Sequence, residues 1–206
     1  MKNSFCRSFG PSLALLFLFL SSVQAAPSVG EKAPLFTGID SNGQKLNLSD
    51  YKGKTVILEW TNHGCPWVAR HYGIGNMQNH QKKAIADGVI WLSIISSAPG
   101  LEGYVDGSEA NQLTKSRNAY PTRVILDPSG KIAKAYAART TPHMYIISSS
   151  GTLIYQGGID DDPTPHGEIE NSTTNFIMNA LAEIKAGKKV SKSTSQPYGC
   201  SVKYGS

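Results

Sequence analysis

The stretch VILEWTNHGCPWVAR, residues 56–70, decides how the rest of the chain is read. Val56 to Trp60 is a nearly continuous hydrophobic run, the pattern of a strand covered on both faces. A short turn follows, then Cys65-Pro66, where a helical stretch begins. Proline suits the first helical turn because its missing N–H would have had no helical partner. A cysteine at a strand-to-helix corner faces the N–H groups of the helix N-terminus, which stabilise a thiolate. The plainer reading is a small hydrophobe buried at a strand end. Val68 stands three residues after Cys65, where a CxxC redox motif would carry its second cysteine.

Outward from this corner, Gly73 and Gly75 interrupt the helix, and a second helical segment places Met77, Gln81, Ala84 and Ile85 on roughly one face before Asp87-Gly88 ends it. Upstream, GQKLNLSDYKGK reads as a strand or hairpin arm and a turn. Downstream come a buried strand at 89–95, a loop, a short helix at 108–118, a strand at 122–127 and a PSGK turn. IAKAYAA is ambiguous between helix and strand, whereas MYIIS and TLIYQG, joined by SSSG, form a hairpin. An acidic loop, DDDPTPHGE, leads into a helix expected from Ser172 to Ala186. The final twenty residues are polar and aperiodic until PYGCSVKY, as in a mobile tail. This order, with a crossover half and a hairpin half, fits a three-layer α/β architecture around a mixed sheet.

The N-terminus has the three parts of a secretory signal: Lys2 and Arg7, the apolar LALLFLFL, and the small residues of SSVQAA. Residues 1–26 are therefore expected to be removed, taking Cys6 with them and leaving no membrane span. The remaining chain carries Cys65 and Cys200, an even pair in a compartment where disulfides persist. Loss of Lys2 and Arg7 lowers the net charge from +5 to +3, too mild a balance, and without a basic stripe, to indicate nucleic acid. Lys185, Lys188, Lys189 and Lys192 suit a solvated helix end and tail.

In RTTPHMYII, residues 139–147, Thr141-Pro142 stands directly before an apolar strand. Proline can open an edge strand in either the trans or the cis form, and the residues alone leave both open. The full pattern resembles the thioredoxin fold: strand, Cys-Pro, helix, then Thr-Pro and a hairpin. More narrowly, GEKAPLFTGIDSNGQKLNLSDYKGKTVILEW (residues 30–60) resembles the opening of the thiol-specific antioxidant, or peroxiredoxin-like redoxin, branch. RTTPHMYIISSSGTLIYQGGIDD (139–161) and PYGCSVKY (197–204) are similar to the exported bacterial redoxins of that group. The resemblance covers residues 28–204 and implies a thioredoxin-like three-layer α/β/α sandwich, with Cys65 at the active position and Pro142 as the cis-proline facing it.

The sequence also departs from both relatives. Where a peroxiredoxin has threonine three residues before its reactive cysteine, and proline four before that, this chain has Asn62 and Leu58, with Thr61 one position off. A CxxC partner is absent as well, so the sulfur that resolves an oxidised Cys65 is Cys200 or an external thiol. Three arrangements follow: a cycling Cys65–Cys200 pair, a static bridge that staples the tail, or a pair that never meets.

Candidate supporting residues surround the cysteine. Pro66 opens the helix, and Thr141 and Pro142 shape a groove for substrate backbone. Glu59 is a carboxylate in an apolar strand, fit to shuttle a proton or to point into solvent. Arg139 is a cation fit to face a thiolate. Trp67, Asn62 and His63 are expected on the groove, and His63 or His71 could serve as a base. The scattered His63, His71, His143, Cys65 and Cys200 lack metal-ligand spacing, so neither metal nor cofactor is expected.

The expectation is one redoxin domain at 27–187, with a tail at 188–206 carrying Cys200, exported to the periplasm and exchanging thiols with disulfides. Substrates would be protein thiols or disulfides, with an external thiol reductant. The alternatives are a thiol-dependent peroxidase acting on peroxides, or a binding or chaperone-like module with a structural disulfide. Oligomeric state is not legible.

Overall fold

The computed structural model describes residues 26–170 and 172–205; the signal segment read at 1–26, Cys6 included, lies almost wholly outside them. Strands β1 (Thr37–Asp40), β2 (Lys45–Asn47), β3 (Val56–Trp60), β4 (Ile90–Ile95), β5 (Arg123–Leu126), β7 (His143–Ile147) and β8 (Leu153–Gly157) form a seven-stranded sheet ordered β2-β1-β5-β4-β3-β7-β8. The central β3, β4 and β5 run parallel, and the flanking pairs run antiparallel. The two short strands β6 (Thr140–Thr141) and β9 (Cys200–Ser201) pair separately.

Every residue of β3 and of β7 is buried, which is why both segments are almost uninterrupted runs of apolar side chains. Alternate residues feed two cores. Val56, Leu58, Trp60, Leu92 and Ile94 pack towards α4 (Lys131–Ala135). Ile57, Trp91, Met144 and Ile146 pack towards α1 (Pro66–Gly73), α2 (Asn76–Ala86) and α5 (Phe176–Lys185). Helix α3 (Gly107–Ser116) places Ala110 against Val105 and Val124. The result is a thioredoxin-like α/β/α sandwich with a mixed central sheet.

Two elements differ from their sequence reading, and a third resolves an ambiguous one. Helix α5 begins at Phe176 rather than Ser172, because the Asn175 side chain accepts the Met178 N–H (2.8 Å) and caps the helix there. The ambiguous IAKAYAA is helical at 131–135, entered through Gly130 at φ 67°. The tail, polar and aperiodic, is packed in place rather than loose. Backbone bonds join Gln156 to Ser193 (3.1 Å) and Ser195 (3.2 Å), and Ser195 Oγ accepts the Gly158 N–H (2.9 Å). Gly157, at φ 152°, is required at that crossing, since a Cβ would come within 2.4 Å of Ser195 Oγ. Among the described residues, no helix is long and apolar enough to cross a membrane.

Candidate active site

Cys65 is the N-cap of α1, with Pro66 in the first turn, so the strand-to-helix corner forms as read. The loop that delivers it is held by Asn62. Its side-chain oxygen accepts the Gly64 N–H (2.8 Å), its amide donates to Glu102 Oε1 (3.0 Å), and its backbone oxygen accepts the Cys65 N–H (3.1 Å). Gly103, at φ 84°, presses against the Asn62 amide where any side chain would collide. Asn62 is thus buried and committed to holding the loop.

The Cys65 residue is wholly buried, at 0% exposure. Its thiol donates to the Thr141 carbonyl at 2.9 Å, and the Cys200 N–H approaches the same sulfur at 3.5 Å. The Thr141–Pro142 peptide is cis. Thr141 lies opposite Cys200 in the β6–β9 pair, and Thr140 opposite Ser201. Gly199 makes this approach sterically open: it takes φ 115°, and a Cβ there would lie 2.0 Å from the Thr141 oxygen. The chain's second sulfur is therefore delivered onto the first by main-chain pairing across 135 positions. Both cysteines are free thiols. Burial and the neighbouring Cys65 push the Cys200 thiol up to about 12.

The tail is anchored on both sides of Cys200. Before it, Tyr198 donates to Asp160 and meets His71 Nε2 (3.1 Å), while the Asn76 amide donates to His71 Nδ1 (2.8 Å). After it, the Val202 N–H donates to Arg139 O (3.0 Å) and the Ala98 N–H to Lys203 O (2.9 Å). His71 was a candidate base, but it is buried, and burial together with the charge of Arg70 lowers it to about 4. It is a neutral strut for the tail.

Glu59 is neither solvent-facing nor lysine-paired. It is fully buried and accepts from Tyr72 Oη (2.9 Å), Trp91 Nε1 (2.7 Å), Ser93 Oγ (2.9 Å) and Gln81 Nε2 (3.2 Å). Burial raises its carboxyl above the ordinary value, against the four hydrogen bonds that favour the charge. The Cys65 thiol is not among its hydrogen-bond partners.

The other candidates scatter. Trp67 is half-buried beside the cysteine and donates through Nε1 to Pro163 O (2.7 Å). His63 is exposed, and partial burial together with Arg117 lowers it. Arg139 is also exposed; its backbone, not its guanidinium, is what the tail uses. Thr61 is buried with its hydroxyl unpartnered. Among the described residues, no three His, Cys, Asp or Glu side chains converge on a metal position.

Sequence reasoning missed Arg70, and weighed His143 only as a metal ligand. Arg70, nearly buried on α1, ties the acidic loop through Asp162 (2.6 Å), Thr164 O (2.8 Å), Gly167 O (2.9 Å) and Glu168 O (2.7 Å). His143 follows the cis-proline and accepts the Arg139 N–H at 3.3 Å; burial and the Arg139 charge hold it neutral, near 3. An isolated arginine or histidine in sequence carries no sign of such a role.

Among solved structures, the chain is similar to a hypothetical protein from Sinorhizobium meliloti 1021, with TM-score 0.77, 20% identity, and 88% and 97% of the two chains covered. It is also similar to a putative thiol:disulfide interchange protein DsbE from Chlorobium tepidum, with TM-score 0.51, 23% identity, and 64% and 85% covered. At these identities the likeness shows the fold. The thiol-disulfide oxidoreductase ResA of Bacillus subtilis is 24% identical over 128 residues, which are 62% of this chain and 65% of that protein, slightly under two thirds of its length. The AhpC/TSA family model matches residues 29–156, a span that takes in β3, the Cys65 corner and the cis-proline turn together, and on that match the chain belongs to the AhpC/TSA family.

Proposed function

We propose that this protein is an exported, periplasmic thiol–disulfide oxidoreductase in which Cys65 and Cys200 cycle between dithiol and disulfide. The catalytic unit is the redoxin domain of residues 27–187 together with the tail of 188–206. The observation that carries this reading is the approach of the Cys200 N–H to the Cys65 sulfur at 3.5 Å, imposed by the Thr141–Cys200 register. In a thiol exchange the second sulfur must attack the first without a search, and a preformed strand pair removes that entropic cost. The name of the ResA relative points to the same chemistry. Export rests on the N-terminal signal pattern.

Each residue then has a task. Cys65 forms the thiolate at the N-terminus of α1, with the Cys200 N–H as hydrogen-bond donor to it. Thr141 O holds the protonated thiol, and Pro142 shapes the turn that presents that carbonyl. Glu59 ties α1 and α2 to β4 through its four hydrogen bonds. The peroxidase alternative has less behind it, since Arg139 is exposed and the Thr61 hydroxyl bonds to nothing.

The test is exchange between a dithiol and a peptide disulfide, catalysed by the wild type and by Cys65→Ser and Cys200→Ser variants. Turnover is expected to fall to background without Cys65 and equally without Cys200, because the cycle needs both sulfurs. Equal turnover in wild type and Cys65→Ser would overturn the reading. Cys65-dependent peroxide consumption with no disulfide exchange would favour the peroxidase instead.

A further inference from the structure

The two sulfurs are not equivalent in where they face. Cys65 has no exposed surface, whereas Cys200 is half-buried. Val68, Met144 and Tyr72 belong to the same buried cluster as Cys65, and β9 closes the remaining side by pairing with Thr140 and Thr141. Cys200 lies at the rim, within the fields of Glu102 and Lys203. Displacement at a disulfide proceeds in line: the incoming thiolate, the attacked sulfur and the leaving sulfur are collinear. In-line attack on Cys65 would have to come from the side opposite Cys200, which is protein interior. In-line attack on Cys200 is made on the residue of the pair that keeps exposed surface.

We propose that, in the bridged protein, Cys200 is the sulfur that meets the substrate and Cys65 is the one that leaves. This rests on the reading that the two cysteines form a redox pair, and it inverts the assignment made from the sequence, in which Cys65 attacks and Cys200 resolves. A substrate thiolate forms a bond to Cys200 Sγ; the Cys200–Cys65 bond breaks and its electron pair stays on Cys65. A second substrate thiolate then attacks the first substrate sulfur. Cys200 departs and takes up a proton, leaving one substrate disulfide and the protein dithiol. Two electrons have passed from substrate to protein.

The leaving group is well placed, because its charge develops at the N-terminus of α1 beside the Cys200 N–H. The reverse opening step, attack by Cys200 on an outside disulfide, is disfavoured because that thiol resists ionisation. The substrate class for this step is a dithiol, or a pair of small thiols, whose attack opens the bridge. An extended polypeptide cannot pair with Thr140 and Thr141 while β9 holds that edge.

The experiment is a brief reaction of oxidised wild-type protein with substoichiometric glutathione, quenched in acid, followed by alkylation with N-ethylmaleimide and peptide mass mapping. Glutathione is expected on Cys200 and maleimide on Cys65, exceeding the opposite arrangement by at least about tenfold given the buried in-line path. The opposite arrangement in a protein that does form the bridge would overturn this assignment alone. A protein that forms no bridge would overturn the redox pairing, and this assignment with it.

Discussion

Glu59, six residues before Cys65, lies on the face of β3 that α1 and α2 cover, and four side-chain donors converge on it. Replacing it with leucine would leave the indole of Trp91 and the hydroxyls of Ser93 and Tyr72 buried without acceptors. Each such loss costs about 1–3 kcal/mol, so Glu59→Leu is expected to lower stability by about 3 kcal/mol or more in urea unfolding. A change within about 0.5 kcal/mol would show that the cluster is held by packing alone. Glu59 also illustrates what sequence could and could not yield. Its oddity in an apolar strand was legible, but its partners come from two helices and a neighbouring strand. Asn62 went the other way: expected on the groove, it is consumed in holding the loop that aims Cys65.

At the scale of elements, β3, α1, β4 and the β7–β8 hairpin follow from local pattern, because each buries a face of its own. Strands β6 and β9 do not, since two-residue pairs have no periodicity and exist only through each other. Yet Gly199 was printed in the sequence as the GC of YGCSVKY, and it is the residue on which β9 depends. Gly199→Ala puts a methyl group on the Thr141 carbonyl in a backbone conformation that alanine adopts poorly. Strand β9 is then expected to lift, with the main sheet unaffected. Alkylation of Cys65 by iodoacetamide should accelerate at least about tenfold, as expected for a thiol moved from buried to accessible. An unchanged alkylation rate with an unchanged fold would mean that β9 does not shield Cys65. On the other side of α1, Arg70 is the fork that holds the loop of 162–168. Arg70→Lys supplies a point charge in place of a planar fork and should expose that loop to limited proteolysis well before the sheet unfolds.

For the whole molecule, acid is the condition that separates its buried histidines from its carboxylates. His71 and His80 are lowered to about 4, and His143 to about 3, all chiefly by burial. A depressed folded value means that stability is fully present above the unfolded value of 6.5 and is lost as pH falls through the folded values. The melting temperature should therefore decline from pH 6.5 towards pH 4, before Asp162, lowered to about 2 by the hydrogen bond from Arg70, begins to contribute. Glu59 acts in the opposite sense: its raised value gives stability that is full below 4.5 and is lost as pH rises through its folded value. A flat melting temperature across that interval would show that the histidines take protons without loss of stability.

The proposed chemistry rests on the coupling of Cys65 to Cys200, and a redox titration of the wild-type protein is its decisive test. The protein is equilibrated across a series of glutathione redox buffers, quenched, alkylated and weighed. A single two-electron transition is predicted, in which both thiols become protected together, the dithiol taking up two alkyl groups and the oxidised form none. Independent protection of the two cysteines, or none at any potential, would contradict it.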